Sequence, residues 1–509
     1  MKILIIGLQN SGSRSGYMGL FMPLGVAYIT AALKKYGFTK IDCVDLHIEN
    51  ILRKNKVSSL KPLESFDYSS YDVIGFGGPF FKFSILKDLS HQIWKTNKSI
   101  FQVAGGNMAT SISDIILKET NINCVCLFEG EETIVELLKS IEKKENWKNV
   151  KGIKYLNENK DIVETKARAK IKYLDSIAYP DRGNWYFEIT KKYFPVGSPG
   201  RYCAVLIGSR GCPFSCTFCN PQSGRILRKR SPRNIVDEII VLKNKWNIQY
   251  FRFFDEVFIG SKKAIKELCE IIIEEDLNIF WWCQTQIRLI NEDLLAIMKK
   301  AGCIEISFGI ESGSNIILAE MKKGITKEES KRIIELTDQS GIRPTINLLA
   351  GTPSETLETI KETKDFIISL NYIDWVQIPA IHYIVPLPGT ELFDIAVEKG
   401  AIIDKNNYST TIISNFSKHT HTINLTNIPN DVLLAYIKQC NLAIEKDFYL
   451  KHPIKRFLSF FGLDHLRLDL IFKHLSIYQI KPLVESLLWA TIGKRNNLIG
   501  RFIASLIYR

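Results

Sequence analysis

No uninterrupted apolar stretch in this 509-residue chain approaches the roughly 20 residues that a membrane-spanning helix requires. The run Met1-Lys-Ile-Leu-Ile-Ile-Gly7 gives way at once to polar residues and reads as a first strand, not as a secretion signal. The eleven cysteines show no disulfide-like pattern, which points to a reducing cytoplasm. A hydrophobic fraction of 46% fits a globular protein, and this length implies about two to four domains.

The formal charge of +13 is unevenly spread. From residue 451 to 509 there are ten Lys/Arg against three Asp/Glu, interleaved with Phe457, Phe460, Phe461, Phe472, Trp489, Phe502 and Tyr508. Three readings stand for this segment: a solvated helical cap, peripheral contact with an anionic membrane surface, or nucleic acid, the last disfavoured.

Strand and helix patterns alternate twice along the chain. Strands are expected at 2–7, 41–46, 72–78, 101–106 and 124–130, with helices at 24–35, 85–95, 113–120 and 131–144. Together these make an N-terminal doubly wound parallel sheet over residues 1–146. Its ligand would lie on the glycine-rich loops at the strand ends: Gly77-Gly78-Pro79, Gly105-Gly106-Asn107-Met108-Ala109-Thr110 and Glu129-Gly130-Glu131. Residues 147–202 read as a polar connector holding two or three short hairpin strands, one at 151–156. Six more strands (203–209, 250–255, 280–286, 305–311, 344–351, 375–384) alternate with helices (232–246, 262–276, 291–301, 327–340, 354–370, 391–400). Six such units over 203–401 make an incomplete (β/α)6 barrel, with its chemistry at the carboxyl ends of the strands. A C-terminal helical region, 402–509, would cap its open side.

The segment Arg210-Gly-Cys212-Pro-Phe-Ser-Cys216-Thr-Phe-Cys219 follows the first strand of that barrel. Three thiolates on one small loop hold three corners of a 4Fe–4S cluster and leave the fourth iron open. A structural zinc knuckle needs a fourth ligand, and no second cysteine pair lies near this loop.

With these pieces in order, the chain resembles the radical S-adenosylmethionine (radical SAM) enzymes that carry an N-terminal cobalamin-binding domain. The resemblance runs from Met1 to about Tyr449. It rests on Pro23-Leu-Gly-Val-Ala-Tyr28, Gly105-Gly-Asn-Met-Ala-Thr110, Glu129-Gly-Glu-Glu132, the cysteine loop, Phe254-Asp-Glu256, Gly309-Ile-Glu-Ser312, Gly351-Thr-Pro-Ser-Glu-Thr356 and Pro386-Leu-Pro-Gly-Thr390. It implies a flavodoxin-like cobalamin domain ahead of a radical SAM barrel, with cluster, S-adenosylmethionine and cobalamin as cofactors. Cys212, Cys216 and Cys219 would ligate the cluster, and the adenine would lie against Phe218. Asp255 and Glu256 would meet the methionine amino group, Glu311 and Ser312 the ribose or carboxylate, and Arg288 the carboxylate. Gly78, Gly105, Gly106, Thr110, Glu129 and Gly130 would line the cobalamin site. The segment Asp45-Leu-His47-Ile-Glu-Asn50 departs from the Asp-x-His-x-x-Gly signature in its last residue and follows the second strand, so His47 reads as a loop residue. The usual ligand loop, 8–16, has no histidine.

The family's chemistry is reductive cleavage of S-adenosylmethionine to a 5′-deoxyadenosyl radical that abstracts hydrogen from an unreactive carbon, with a flavodoxin or ferredoxin as electron donor. The foremost expectation is C-methylation of a small-molecule or lipid-like metabolite, and the alternative is cyclisation, ring contraction or rearrangement. Transfer-RNA methylthiolation is disfavoured, because the N-terminal half has only Cys43, Cys124 and Cys126, without a second cysteine triad. A zinc-stabilised binding module using the basic tail on nucleic acid is the non-catalytic rival. Gln284, Gln286, Asn347, Gln377, His382 and Tyr383 are candidates to line a substrate pocket.

Overall fold

The computed structural model describes residues 1–8, 23–46, 67–78, 82–183, 203–221, 223–370, 373, 378–412 and 422–453. His47 and Gln377, the loop from residue 9 to 16, and the basic segment after 453 lie outside the described residues.

The N-terminal unit is a seven-stranded sheet in the order β2-β1-β3-β4-β5-β6-β7. Strands β1 (Ile3–Gly7), β2 (Ile41–Asp45), β3 (Val73–Gly77), β4 (Phe101–Gly105) and β5 (Cys124–Cys126) are parallel. Every residue of β1 is buried, so an unbroken apolar run suits a strand covered on both faces. Helices α1 (Leu24–Lys35), α2 (Phe83–Thr96), α3 (Asn107–Ser111), α4 (Ser113–Glu119) and α5 (Glu131–Glu142) connect the strands. The chain order reverses between β1 and β3, which places a ligand crevice at their carboxyl ends. There Gly7, Gly77 and Gly105 stand in one cross-strand row.

One expectation changes here. The hairpin assigned to the connector, β6 (Ile153–Leu156) and β7 (Ile162–Glu164), instead adds antiparallel to the β5 edge. An edge strand leaves a row of backbone donors and acceptors unpaired, and the hairpin satisfies them.

The second unit is a six-stranded parallel sheet in the order β15-β14-β13-β12-β11-β8. Its strands are β8 (Cys203–Leu206), β11 (Tyr250–Phe253), β12 (Phe280–Thr285), β13 (Cys303–Glu311), β14 (Arg343–Ala350) and β15 (Ile381–Tyr383). Two-residue strands β9 (Ser209–Arg210) and β10 (Arg228–Lys229) pair antiparallel across the neck of the cysteine loop. Helices α6 (Pro232–Trp246), α7 (Lys262–Glu274), α8 (Glu292–Lys300), α9 (Asn315–Glu320), α10 (Lys327–Gln339), α11 (Leu357–Ser369) and α12 (Glu391–Glu398) alternate with the strands. Their starts are sequence-encoded: Ser231 caps α6 ahead of Pro232, and Thr326 with Glu329 forms a capping box on α10. The short helix α9 has no counterpart in the sequence reading.

The two units share cores. Leu24, Ala27 and Tyr28 of α1 are buried with Ile235, Phe258 and Ile259 of the second unit, while Ile317, Met321, Leu392 and Phe393 join the core of the N-terminal unit. Helix α13 (Asn430–Lys451) buries Leu433, Ile437, Cys440, Ile444 and Phe448 in the core of the second unit. Its Asn441 side chain accepts from Ile381 N at 2.8 Å and donates to Ile381 O at 3.0 Å, capping the backbone of edge strand β15. Among the described residues no helix is long and apolar enough to cross a membrane.

Candidate active site at the cysteine loop

The cysteine loop leaves β8 and is pinched shut by the β9–β10 pair, in which Arg210 stands opposite Arg228. Gly211 is obligatory at this neck. Its φ is +93°, and a Cβ there would lie 2.2 Å from the Ile226 carbonyl oxygen. Cys212 N donates to Gly224 O at 3.0 Å, Cys219 N turns back to Cys216 O at 3.1 Å, and the Arg225 guanidinium holds the carbonyls of Phe214 and Cys219. Thr217 N donates to Met321 O at 3.1 Å, and Leu392 N to Thr217 O at 2.9 Å, docking the loop on α9 and α12.

Cys216 is buried, Cys212 half-buried and Cys219 exposed, so the thiol set is seated at one corner and open at another. Cys212 and Cys216 lie within electrostatic reach of Cys219. Among the described residues no three or more His, Cys, Asp or Glu side chains gather as around a single ion. A cubane asks for something different, one thiolate on each of three irons. Three soft donors on one loop with an open side fit that group.

Beside the loop stands a residue that motif reading missed. The Lys323 ammonium lies 2.9 Å from Glu311 Oε1 and 5.7 Å from the centroid of the Phe218 ring, and it feels Cys216 and Cys219. Burial, the largest influence, would weaken its hold on the proton, but the Glu311 carboxylate together with Cys216 and Cys219 keeps it above its ordinary value. Glu311 sits at φ +73° at the end of β13, a left-handed conformation in which a non-glycine residue is under strain. No local motif marks Lys323; only the closeness of α9 to the loop brings it here.

Several expected nucleotide contacts are already engaged by the protein. Asp255 is fully buried, with its carboxylate accepting from Gly208 N at 2.7 Å, Ser209 Oγ at 2.9 Å and Ile259 N at 3.2 Å. It fixes the β8 exit instead of facing a ligand, and burial pushes its pKa up to about 6 against those hydrogen bonds. Glu256 does reach the loop, accepting from Ser223 N at 3.3 Å and from the backbone of Gly211. Ser312 is buried in a loop anchor, 3.1 Å from Thr363 Oγ1 and accepting from Ser314 N at 3.1 Å. Arg288 is 54% exposed in its side chain and pairs with Glu329 at 3.6 Å, a surface ion pair.

The pocket candidates divide by strand parity. On β12, Trp281, Cys283 and Thr285 are buried, while Gln284 alternates with them on the opposite face and donates to Asp255 O at 2.7 Å. Asn347 is exposed on β14. Gln286 is buried after β12. Its Nε2 lies 3.4 Å from Lys323 O, and its Oε1 has no hydrogen-bond partner among the described residues. His382 and Tyr383 are half-buried on β15, paired with Leu349 and Ala350.

On the N-terminal sheet the glycine loops converge. A Cβ on Gly78 would lie 2.6 Å from Leu8 Cβ, and Gly106 (φ +86°) backs onto Gly78 N, so backbone lines this edge. Gly105 ends β4, and Gly130 leads into α5. Thr110 Oγ1 accepts from Phe128 N at 2.9 Å, tying the β4 and β5 loops together. Glu129 breaks from its expected part. Its carboxylate takes Arg228 at 2.8 Å, Arg210 at 3.2 Å and Ile171 N at 3.0 Å. A buried triad, Glu238 between Arg182 and Arg230, holds the β8 end through the carbonyls of Val205 and Ile207.

Residues 206–367, which contain the cysteine loop and most of the six-stranded sheet, match the profile of the radical SAM superfamily. The chain carries a radical SAM domain. Around that domain, the chain is 28% identical to an uncharacterized methyltransferase of Pyrococcus horikoshii, over 83% of this chain and 88% of the relative. It is 29% identical to the anaerobic magnesium-protoporphyrin IX monomethyl ester cyclase of Rubrivivax gelatinosus, over 80% of this chain and 72% of the relative. The radical S-adenosylmethionine methyltransferase TsrM of Kitasatospora setae, solved with cobalamin and a 4Fe–4S cluster, shares the fold at a TM-score of 0.67 and 16% identity, covering 86% of this chain and 91% of that one. The likeness to TsrM therefore extends beyond the radical SAM domain into the N-terminal sheet.

Proposed function

We propose that this chain is a cobalamin-dependent radical SAM enzyme that methylates an unactivated carbon of a small-molecule or lipid-like metabolite. One observation carries the reading: the loop bearing Cys212, Cys216 and Cys219 is tied, through Arg210 and Arg228, to the glycine-lined edge of the N-terminal sheet. In this reading the N-terminal sheet is a flavodoxin-like cobalamin domain, the second unit an incomplete (β/α)6 barrel, and α13 a helix packed on that barrel. The compartment is a reducing cytoplasm, and a flavodoxin or ferredoxin supplies electrons.

Cys212, Cys216 and Cys219 would hold the cluster. Phe218 offers a face for the adenine, and Glu256 an acceptor for the amino group. Lys323, held by Glu311, places one positive charge beside the thiolates, where it offsets part of their negative charge. Gly78, Gly105, Gly106 and Gly130 let backbone approach a large flat ligand, with Thr110 holding two of the loops in register. Bound together, the cluster, S-adenosylmethionine and cobalamin supply hydrogen abstraction and methyl donation, chemistry that these side chains cannot provide. The chain's own part is to position and shield it.

A second reading is radical cyclisation, ring contraction or rearrangement, favoured by the relative named as a cyclase. Anaerobic turnover with methyl-labelled S-adenosylmethionine and candidate metabolites separates the two. Label in the product supports methylation. Stoichiometric 5′-deoxyadenosine with an unlabelled, altered product overturns it in favour of the second reading.

A further inference from the structure

Two arginines face each other across the neck of the cysteine loop, the worst cross-strand pairing for charge. Both are nearly buried, with side chains 10% (Arg210) and 9% (Arg228) exposed. What permits this comes from the other unit. The Glu129 carboxylate enters between them, one oxygen 3.2 Å from Arg210 Nη1 and the other 2.8 Å from Arg228 Nη1. Glu131 takes the second nitrogen of Arg210 at 2.5 Å, so the four charges balance. Tyr28 of α1 closes one side, its ring 5.1 Å from the Arg210 guanidinium. The remaining hydrogen bonds of Arg228 go to backbone carbonyls, Ile171 O at 2.7 Å and Ser223 O at 3.1 Å.

We propose that Glu129 is a positioning residue for the cysteine loop, the carboxylate from the N-terminal sheet that neutralises the Arg210–Arg228 neck and so holds the three thiols in their place. The proposal rests on the reading of that loop as the cluster loop. Its consequence is that the loop is completed only by the neighbouring unit. The β5 strand end, which leads to the glycine-lined edge, and the cysteines thereby share one rigid connection. Glu129 acts through the arginines and touches no reacting atom.

The test compares the full chain with Glu129→Gln and with Glu129→Gln/Arg228→Gln. Amide hydrogen exchange on each, free of cofactors, is followed in segments 209–229 and 1–8. In Glu129→Gln, exchange in 209–229 rises on the order of tenfold or more, because a buried guanidinium loses its counter-charge, while strand β1 is unchanged. In the double variant the neck carries one fewer positive charge, and protection returns toward that of the parent. After anaerobic reconstitution, iron is lost to a chelator faster from Glu129→Gln than from the parent or the double variant. Unchanged exchange in Glu129→Gln, exchange raised equally in both segments, or no recovery in the double variant overturns the proposal. A parent chain that takes up no iron overturns the cluster reading instead, and the exchange result still decides the role of Glu129 in the loop.

Discussion

Replacing Lys323 by methionine keeps the length of the side chain and removes its charge from beside the cysteine loop. Lys323 and Glu311 are 10% and 8% exposed in their side chains, and their charged atoms are 2.9 Å apart. Taking away one partner of such a pair leaves a buried carboxylate without its counter-ion, at a cost of about 3–5 kcal/mol. In units of 150–250 residues, 1 kcal/mol moves the melting temperature by about 2–4 °C, so Lys323→Met lowers the first melting transition of the cofactor-free chain by roughly 6–20 °C. Neutralising both partners, Lys323→Met with Glu311→Gln, recovers part of the loss, giving a coupling of about 1–3 kcal/mol in a double-mutant cycle. Differential scanning calorimetry at neutral pH reads all four chains. A single variant that melts with the parent, or losses that simply add in the double variant, would show that the pair does not stabilise this corner of the site.

Two further outcomes follow from the same geometry. Gly211→Ala places a Cβ against the Ile226 carbonyl in a left-handed conformation, so the reconstituted variant retains less than half the parent's iron while β1 keeps its exchange protection; full retention would mean the neck can open freely. Glu355 is pushed up to about 7 by burial, against the hydrogen bonds from Thr359 and Gly351. Its native form therefore keeps a proton that the unfolded form releases near its ordinary value of 4.5, so this contribution to stability is full at low pH and is lost as pH rises toward 7. Glu355→Gln flattens that decline, by roughly 1.4 kcal/mol for each pH unit of the window, as measured by denaturant titration from pH 4.5 to 7; an unaltered slope would contradict the assignment.

Local signals were legible where spacing or capping chemistry sets structure. Helices 24–35 and 232–246 begin and end where periodicity places them, and the cysteine loop follows the first strand of the six-stranded sheet as its position in the repeat implies. What stayed hidden depends on long-range pairing. Glu129 is 81 residues from Arg210 and 99 from Arg228, and its neighbours in sequence give no sign that it faces two guanidinium groups instead of a ligand. From sequence the sheet reads as ending before residue 147, because no pattern tells a free hairpin from one that covers the edge of β5. Asp255 and Glu256 share one motif, yet the chain after β11 sends one carboxylate into the β8 exit and leaves the other beside the loop. The resemblance pointed to the pair, and only packing told its members apart.

In the proposed function, Cys212, Cys216 and Cys219 leave one iron of a cluster free for S-adenosylmethionine. Anaerobic reconstitution followed by iron and sulfide analysis, with electron paramagnetic resonance of the reduced protein before and after S-adenosylmethionine is added, tests it directly. A cluster held by these three thiolates gives about four irons and four sulfides per chain and a spectrum that S-adenosylmethionine changes. Zinc in place of iron, or a cluster whose spectrum is indifferent to S-adenosylmethionine, would contradict it.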